Sequence, residues 1–413
     1  MSLDHGRMLA LLEDARLSLL LGVLDGDGEE TRIVGGAVRN ALVGRHVHEV
    51  DLTTTAPPDV TRARAEAAGF KVVPTGLAHG TLTVVVKGEP YEVTTLREDV
   101  ETFGRHAVVR FGRDFAADAL RRDFTINALS LDAGGKLHDY AGGVADLAAG
   151  RVRFIGDARQ RIREDYLRIL RFFRFSADFA RGDLDAEGFH AAIVEREGLA
   201  ILSRERVRAE LLRLLTARRA AEVVATLSQA GVLGRLVGGI GDTARLARAA
   251  AAERDAIGRL GALAVFSRDD AERIGETLRL SNAERKRLDA YARLIERLHD
   301  AAAPVDPVEI RRLVADHPPA AVGDALAALA GEPRPVIAPD ALDALAPYEA
   351  EPGRVPTLPL RGSDLIAAGV PKGPAVSAAM ARARASWLAR GCPMGKEARA
   401  ALLEVATLEA GGG

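Results

Sequence analysis

The sequence predicts an α+β protein, with a small head of strands and short helices followed by an all-helical neck, body and tail. Residues 31–130 alternate short β-branched runs with short helical segments, which indicates a mixed sheet. From about residue 157 onward, Ala, Leu and Arg recur at helical spacing without strand alternation. The 413 residues, 48% of them hydrophobic, are enough for several cores. The expected domains are a head at 1–150, a neck at 151–220, a body at 221–335, and a proline-rich linker with a helical tail at 336–413.

Composition narrows the function classes. The 56 basic and 58 acidic residues leave a net charge of −2, so no global positive field attracts RNA, and an RNA site must be a local patch. The single cysteine, Cys392, excludes disulfides within the chain and cysteine-based zinc sites. Leu17–Leu24 is apolar apart from Ser18, but it is short and has acidic flanks. It therefore predicts an amphipathic helix rather than a signal peptide, and we expect a cytoplasmic protein without membrane association.

A glycine pair follows the first predicted strand. Thr31–Val34 has the β-branched character of a strand, and Ala37–Val43 reads as a short helix ended by Gly44. Gly35 and Gly36 at the junction would let a phosphate approach the backbone N–H groups. Arg39, in the first helical turn, can donate two hydrogen bonds to phosphate oxygens. On its own this pattern is also that of an ordinary strand-to-helix turn.

Two carboxylates come next, on a predicted strand from Val47 to Thr53. Glu49 and Asp51 would project from the same face of that strand. Carboxylates so placed can jointly hold metal ions about 3.5–4 Å apart for phosphoryl transfer, and Mg²⁺ prefers such hard oxygen ligands. His46 and His48 should alternate onto the opposite face as surface or structural histidines. The alternative for the acidic pair is a solvated strand face.

A third carboxylate lies on a predicted hairpin. Thr81–Val86 and Tyr91–Leu96 flank the turn residues 87–90, and Glu92 sits on the second run. Glu92 is a candidate third metal ligand or general base, with an exposed strand glutamate as the alternative. The following segment, 98–119, is rich in charge and glycine and predicts a mobile loop beside the site.

Four blocks of sequence that occur in a fixed order make the functional prediction specific. They are VGGAVR at 34–39 with EVD at 49–51, RRDFTINA at 121–128, EDYLRILRFFRF at 164–175 and SRERVRAEL at 203–211. One short motif matches many unrelated proteins, whereas an ordered set is selective. The set resembles the class II tRNA nucleotidyltransferases, the family of CCA-adding enzymes and bacterial poly(A) polymerases in the polymerase-β superfamily. The resemblance covers roughly the first half of the chain and implies a polymerase-β-like nucleotidyltransferase head.

The resemblance implies a role for each matching residue. Gly35, Gly36 and Arg39 would hold the triphosphate, and Glu49 and Asp51 the magnesium, with Glu92 as the third carboxylate. Arg122 would contact the nucleotide. In the family, the Asp and first Arg of the third block read the base edge of CTP or ATP in place of a template. The nucleotide-selecting residues implied here are Asp165, Arg168, Arg171 and Arg174.

The third block also suits that role physically. Arg161–Phe175 reads as one helix with an apolar face, so Asp165 and Arg168 would be neighbours on its surface. A carboxylate accepts and a guanidinium donates, so together they can copy the edge of a partner base. Arg171 and Arg174 advance around the helix in steps of three and are assigned to phosphates or neighbouring walls. The alternative is a helix whose arginines form ordinary ion pairs with Glu164 and Asp165.

The sequence departs from the family pattern at two positions. Asn40 stands where the motif usually has Asp, and Glu49 stands where the metal pair usually begins with Asp. The extra methylene of Glu49 would shift the ligand oxygen by about an ångström, and such misplacement can cost about 100-fold in rate. Glutamate nevertheless keeps an anionic oxygen ligand for Mg²⁺.

These patterns lead to one functional expectation. The chain should be a template-independent nucleotidyltransferase that adds C, C and A from CTP and ATP to tRNA 3′ ends, with Mg²⁺ as cofactor and no protein partner implied. The alternatives are an enzyme adding only A, only CC or a poly(A) tail, and a catalytically weakened RNA-binding protein. The predicted linker holds seven prolines between 332 and 360, and the arginines predicted to face RNA in body and tail are Arg311, Arg312, Arg382, Arg384 and Arg390.

Overall fold

The computed structural model describes residues 3–76, 80–103 and 106–408. The chain forms two compact units. The first comprises Met1–Ser203 with Ala217–Arg219, and the second Arg204–Thr216 with Ala220–Gly413. The finer division into head, neck, body and tail stays a prediction. None of the helices in the described residues is both long and apolar enough to cross a membrane.

A seven-stranded mixed sheet forms the centre of the first unit. Two central strands, β1 (Thr31–Val34) and β2 (Asp51–Thr54), run antiparallel to each other, and β2 pairs in parallel with β5 (Glu89–Thr95). Every other pair in this sheet is antiparallel. In spatial order the strands are β3 (Lys71–Gly76), β4 (Thr81–Val86), β5 (Glu89–Thr95), β2 (Asp51–Thr54), β1 (Thr31–Val34), β8 (Leu129–Asp132) and β9 (Leu137–Asp139). Apolar residues of the inner strands, such as Ile33 and Leu52, are fully buried.

Nine helices of the first unit pack around this sheet and continue beyond it, within the described residues. Several begin at an aspartate whose side chain accepts backbone N–H groups, as Asp14 does for α2 and Asp157 for α7. The helices are α1 (His5–Leu9), α2 (Ala15–Leu24), α3 (Gly36–Leu42), α4 (Pro58–Ala67), α5 (Phe115–Leu120), α6 (Gly143–Ala149), α7 (Ala158–Glu164), α8 (Leu167–Phe179) and α9 (Ala186–Val194).

The first unit corrects three local predictions. The strand expected at Val47–Thr53 begins only at Asp51, so Glu49 lies in the preceding loop. The mobile loop expected at 98–119 instead contains an antiparallel pair, β6 (Arg97–Phe103) and β7 (His106–Phe111), followed by α5. Gly104 and Arg105, which belonged to that loop prediction, lie outside the described residues. The helix expected over Arg161–Phe175 is two helices, α7 and α8, separated at Asp165 and Tyr166.

Apart from one isolated bridge between Val305 and Ile337, the regular structure in the described residues of the second unit is helical. A short tail core surrounds Trp387, which is fully buried and donates its indole N–H to the carbonyl of Pro393 at 2.9 Å. The helices are α10 (Arg204–Thr216), α11 (Ala220–Gln229), α12 (Leu233–Val237), α13 (Thr243–Ala251), α14 (Ala256–Ala264), α15 (Arg268–Thr277), α16 (Asn282–Leu298), α17 (Pro307–Asp316), α18 (Pro319–Leu329), α19 (Ala341–Ala350), α20 (Gly362–Ala367), α21 (Pro374–Ala389) and α22 (Lys396–Thr407).

The proline-rich linker contains more regular structure than its composition predicts. Helix α19 crosses its centre and retains Pro347 inside the helix. Ala341 and Leu345, on the same face, are almost completely buried. Packing of that face therefore compensates the hydrogen bond that the proline cannot donate. The α+β fold class predicted from the sequence is confirmed, with strands in the first unit and helices in the second.

Candidate active site

The glycine turn after β1 has a backbone that requires its first glycine. Gly35 has φ of +64°, and a Cβ there would lie 3.0 Å from Nη1 of Arg122. Its N–H donates to the carbonyl of Leu129 on β8 at 2.9 Å, so this amide is committed to the sheet. Gly36 begins α3, and a Cβ there would approach the guanidinium of Arg39 at 3.8 Å. The turn thus leaves the space above Arg39 clear of side chains.

Arg39 is a buried cation whose direct hydrogen bonds go to neutral groups. It is 8% exposed. Its Nε and Nη2 donate to Oδ1 of Asn40 at 3.1 and 2.9 Å, and its Nη1 donates to Oδ1 of Asn127. The guanidinium also lies 4.3 Å from the ring centroid of Phe179. Burial, followed by the positive charge of Arg174, lowers the pKa of Arg39 to about 9. A buried cation with amide and aromatic partners is prepared for an anionic ligand.

Three carboxylates line one edge of the sheet. Asp51, the first residue of β2, pairs in register with Val34 on one side and Glu92 on the other. Glu49 lies two residues earlier, and Glu49, Asp51 and Glu92 are all exposed. They share a cavity of about 420 Å³ with His48 and Tyr91, among other residues. The His46 and His48 ring centroids lie 4.4 Å apart with the rings tilted by 44°, so these exposed histidines contact each other at the surface.

The environment of Asp51 opposes its negative charge. Displacement of water by the surrounding protein raises the pKa of Asp51, and the charges of Glu92 and then Glu49 raise it further. The guanidinium of Arg122 acts in the opposite direction. A divalent cation at this edge would relieve the repulsion among the three carboxylates, whose oxygens are the ligands that Mg²⁺ prefers.

This repulsion predicts a stability gain when Asp51 loses its charge. Because the folded-state pKa is raised, ionised Asp51 lowers the free energy of unfolding at pH above that pKa. The cost disappears below about pH 4, where the unfolded chain is protonated too. We expect Asp51→Asn to raise the Tm of the metal-free protein near pH 7 and to leave it unchanged near pH 3, as followed by circular dichroism. A lower Tm near pH 7 would show that Asp51 stabilises the fold.

The RRD block places further charged groups beside the turn. Asp118, 4% exposed, accepts hydrogen bonds from Arg121 and, at 3.1 Å, from Nη2 of Arg122. Nη1 of Arg122 donates to the backbone carbonyl of Asn127 at 3.3 Å. Asp118 therefore fixes the direction of Arg122 toward the glycine turn. The sequence prediction missed Asp118 because its spacing to Arg122 is that of any helical ion pair.

The break between α7 and α8 changes the geometry predicted for Asp165 and Arg168. Asp165 is extended, with φ of −155°, and its side chain accepts the N–H of Leu167 at 3.1 Å. Arg168, on the first turn of α8, donates to the carbonyl of Arg161 at 2.9 Å and to Glu164 at 2.5 Å. Asp165 and Arg168 are therefore not neighbours on one continuous helix, as predicted. The Glu164–Arg168 ion pair given as an alternative is present.

Arg171 and Arg174 follow along α8 and meet an aromatic side chain that the sequence prediction did not single out. Arg171 forms an ion pair with Asp123, its Nη2 lying 2.6 Å from Oδ2. The guanidinium carbons of Arg174, Arg39 and Arg171 lie 4.0, 5.1 and 5.2 Å from the ring centroid of Phe175. Three cations around one ring create a strongly positive wall.

One cleft of about 510 Å³, called here the central cleft, unites most of these residues. Asp51 lines both this cleft and the carboxylate cavity, so it joins the two. The central cleft is lined by Gly35, Gly36, Arg39, Asp51, Arg121, Arg122, Asp123, Asn127, Asp165, Arg168, Arg171, Arg174 and Phe175. The cleft thus brings together all eight predicted nucleotide-binding residues. Glu49 and Glu92 line the adjoining cavity.

A different group of side chains also has metal-ligand character. Within the described residues, Glu30, Asp132 and His138 bring their ligand atoms within 4.8 Å of one another. Glu30 precedes β1, whereas the glycine turn follows it, so this group lies at the other end of the strand. His138 Nε2 lies 2.7 Å from Asp132, and Glu30 accepts from Arg32 at 2.6 Å. We interpret the group as a hydrogen-bonded support of the sheet edge.

Most arginines predicted to face RNA in the second unit bond within the protein. Arg311 and Arg312 donate to the carbonyls of Gly391, Leu388 and Ala389 at the end of α21. Arg382 donates to the carbonyl of Ala406, and Arg384 to Asp316. The bonds of Arg311, Arg312 and Arg382 satisfy carbonyls at or just after helix C-termini, and that of Arg384 is an ion pair. Arg390 is exposed.

Comparison with known proteins identifies relatives for this architecture. Residues 31–153 match the family described as the poly A polymerase head domain. Mouse mitochondrial CCA tRNA nucleotidyltransferase 1 is 44% identical over 209 residues, which is 50% of this chain and 48% of the relative. The CCA-adding enzyme of Staphylococcus aureus is 38% identical over 208 residues, 50% of each. The chain thus spans about half the length of these relatives in the match.

Solved structures extend the likeness over the whole fold. The Bacillus stearothermophilus CCA-adding enzyme in complex with CTP has a TM-score of 0.74 and 27% identity, covering 94% of this chain and 96% of that one. The Thermotoga maritima CCA-adding enzyme complexed with tRNA has a TM-score of 0.69 and 19% identity, covering 98% of each chain. The resemblance to the CCA-adding enzymes predicted from the sequence blocks is therefore confirmed, as is the predicted fold.

Proposed function

We propose that this chain is a template-independent RNA nucleotidyltransferase that adds C, C and A from CTP and ATP to tRNA 3′ ends and releases pyrophosphate. The observation that carries the proposal is the central cleft, in which a buried arginine, a metal-type carboxylate and a base-reading block face one cavity. The relatives named as CCA-adding enzymes support the same activity.

Arg39 provides the triphosphate grip in this proposal. Its buried guanidinium has amide partners, so its positive charge stays available to an incoming anion. Arg122, held by Asp118, extends the same positive wall, and Gly35 and Gly36 leave room for phosphate oxygens. Charge-assisted hydrogen bonds of this kind are about twice as strong as neutral ones. Asn40, where the family usually has Asp, avoids neutralising Arg39.

Glu49, Asp51 and Glu92 are the proposed ligands of the divalent metal, with Mg²⁺ as the ion. Bound there, the metal would activate the 3′-terminal hydroxyl and neutralise charge on the departing pyrophosphate. Asp51 is the central ligand, since it lines both cavities and faces the phosphates that Arg39 would hold. Glu49 lies in the loop before β2 and would supply an anionic oxygen ligand on a side chain one methylene longer than that of aspartate.

The break between α7 and α8 is the proposed base reader. Asp165 lies in the break with one carboxylate oxygen engaged by Leu167 N–H, and Arg168 begins the next turn. A carboxylate oxygen accepts from an exocyclic amino group, which cytosine and adenine both carry and uracil lacks. This property supports discrimination of CTP and ATP against UTP by a protein side chain.

Asp165→Asn should therefore weaken nucleotide selection while leaving the fold intact. The amide can still accept the N–H of Leu167 but replaces one acceptor by a donor. We expect the preference for CTP over UTP, measured as a ratio of kcat/KM, to fall by about 10–100-fold. Asp157→Asn, whose side chain also accepts a backbone N–H at the start of a helix, here α7, but which lies outside the cleft, is the matched control. Unchanged selection in Asp165→Asn, with tRNA binding intact, would remove Asp165 from the base-reading role.

The direct experiment supplies tRNA that lacks its terminal CCA, labelled CTP and ATP, and Mg²⁺. The proposal predicts two cytidines followed by one adenosine, read from gel shifts and 3′-end sequencing, with none added to tRNA that already carries CCA. Addition of a single A would indicate an A-adding enzyme, and addition of CC alone a CC-adding enzyme. A long ladder of A would indicate a poly(A) polymerase. Absence of incorporation together with tight tRNA binding would instead identify a non-catalytic RNA-binding protein and contradict the proposal.

A further inference from the structure

One side chain lies between the two arginines to which the proposed function gives different tasks. The carboxamide of Asn127 accepts from Nη1 of Arg39 with its oxygen and donates from Nδ2 to Oδ1 of Asp123 at 2.9 Å. Asp123 in turn accepts from Nε of Arg171 through its other oxygen, Oδ2, at 2.7 Å. A continuous chain of hydrogen bonds therefore runs from Arg39 through Asn127 and Asp123 to Arg171.

This chain is buried and its polarity is fixed. Asn127 and Asp123 are each 7% exposed, and Arg39 is 8% exposed. Burial alone would raise the pKa of Asp123, but the charge of Arg171 and the hydrogen bonds from Asn127, Arg171 and the Phe124 N–H lower it. Asp123 therefore stays a carboxylate, which accepts from Asn127. The amide nitrogen of Asn127 must face Asp123, and its oxygen must face Arg39.

No other common side chain of this size meets both demands. Aspartate would place a second negative charge against Asp123 and would neutralise Arg39. Alanine would leave both neighbours without their buried partner. The backbone of Asn127 is also held, because its carbonyl accepts from Arg122 and the preceding Thr125 hydroxyl donates to buried Asp146 at 2.7 Å. The amide is thus presented from a fixed 3₁₀ turn, Thr125–Asn127.

We propose that Asn127 is a positioning residue that couples the arginine gripping the triphosphate, Arg39, to the arginine beside the base reader, Arg171. The inference rests on the proposed function for the identity of those two tasks. A shift of Arg39 onto a phosphate moves the partner of Asn127, and the same chain moves the carboxylate that holds Arg171. Coupling of this kind is reciprocal, so the position of Arg171 also changes the affinity for the triphosphate.

A double-mutant cycle on CTP binding tests the coupling. Affinities are measured by calorimetry, with Ca²⁺ to prevent turnover, for the parent protein, Arg39→Lys, Arg171→Lys and the double variant. The same four proteins are then made with Asn127→Ala. With Asn127 present, we expect the double variant to lose at least about threefold less affinity than the product of the single losses. With Asn127→Ala, the losses should multiply to within about twofold.

Two results would overturn the coupling. One is a cycle in which the affinity losses of the two single variants multiply while Asn127 is present. The other is the same non-additivity after Asn127→Ala, which would be the result if Asn127 had a merely structural role. Asn127→Ser, which is too short to bridge both partners, replaces the alanine variant should the latter not fold. Asn282→Ala, an exposed asparagine at the start of α16, is the control and should leave the cycle unchanged.

The outcome is separable from that of the proposed function. CTP incorporation into tRNA lacking CCA is assayed on the same parent protein. Incorporation together with a multiplicative cycle contradicts the coupling alone. A coupled cycle without incorporation contradicts the proposed function and supports the coupling. A parent protein that binds no CTP contradicts both.

Discussion

Asp51→Asn should lower the incorporation of both CTP and ATP by at least about 1000-fold. Asp51 is the carboxylate shared by the central cleft and the carboxylate cavity, and the amide keeps its size while removing its charge. Electrostatic stabilisation by a metal supplies several kcal/mol in the transition state, and each 1.36 kcal/mol is tenfold in rate. Single-turnover assays with saturating tRNA and CTP measure the chemical step without the contribution of product release.

Two comparisons make the Asp51 result specific. Asp300→Asn, at an exposed residue with φ of +61° that asparagine also tolerates, should leave the rate unchanged. The affinity for tRNA should stay within about twofold in Asp51→Asn, since the proposed role of Asp51 is to bind the metal rather than the body of the tRNA. A rate within about tenfold of the parent protein would remove Asp51 from the metal site.

Arg39→Gln should have the second-largest effect, a loss of about 100-fold in kcat/KM for both nucleotides. The substitution removes a buried cation and leaves the oxygens of Asn40 and Asn127 without their donor. Loss of charge-assisted hydrogen bonds to a phosphate costs roughly 1.5–3 kcal/mol, and unpaired buried acceptors add to that cost. Steady-state assays with CTP and with ATP separately should show equal losses, because the triphosphate is common to both.

The controls for Arg39 separate charge from shape. Arg39→Lys keeps the charge but loses the planar guanidinium, so its kcat/KM should lie between those of the parent protein and Arg39→Gln. Arg293 is half-exposed and belongs to a surface ion pair in the second unit. Arg293→Gln should therefore leave kcat/KM unchanged for both CTP and ATP. If Arg39→Gln impaired CTP and ATP by different factors, Arg39 would belong to base recognition rather than to the triphosphate.

The parts of the fold that the sequence predicted are those set by local patterns. Thr31–Val34 is β-branched and forms β1 within its predicted bounds. The hairpin at β4 and β5 follows from Lys87 and Gly88, whose positive φ angles of 49° and 87° suit a two-residue turn. The eight predicted nucleotide-binding residues line one cleft. They were predicted from blocks of sequence in a fixed order, which are more selective than single residues.

Other features depend on contacts that no local pattern contains. The break at Asp165 interrupts an apolar repeat that continues from Ile162 to Phe173, and it exists because the Asp165 side chain takes the N–H of Leu167. Helix α19 continues through Pro347 because burial of Leu345 stabilises it. Asn127, 88 positions after Arg39 in the sequence, joins Arg39 to Asp123, a relation that only the folded chain reveals.

The proposed function requires that Glu49 and Asp51 hold divalent ions beside a triphosphate bound at Arg39. A crystal of the protein soaked with a non-hydrolysable CTP analogue and Mn²⁺, measured at the manganese edge, tests it most directly. We expect an anomalous peak in contact with Asp51, with phosphate density between that peak and the guanidinium of Arg39. A nucleotide bound elsewhere, or manganese found only at the Glu30, Asp132 and His138 group, would contradict it.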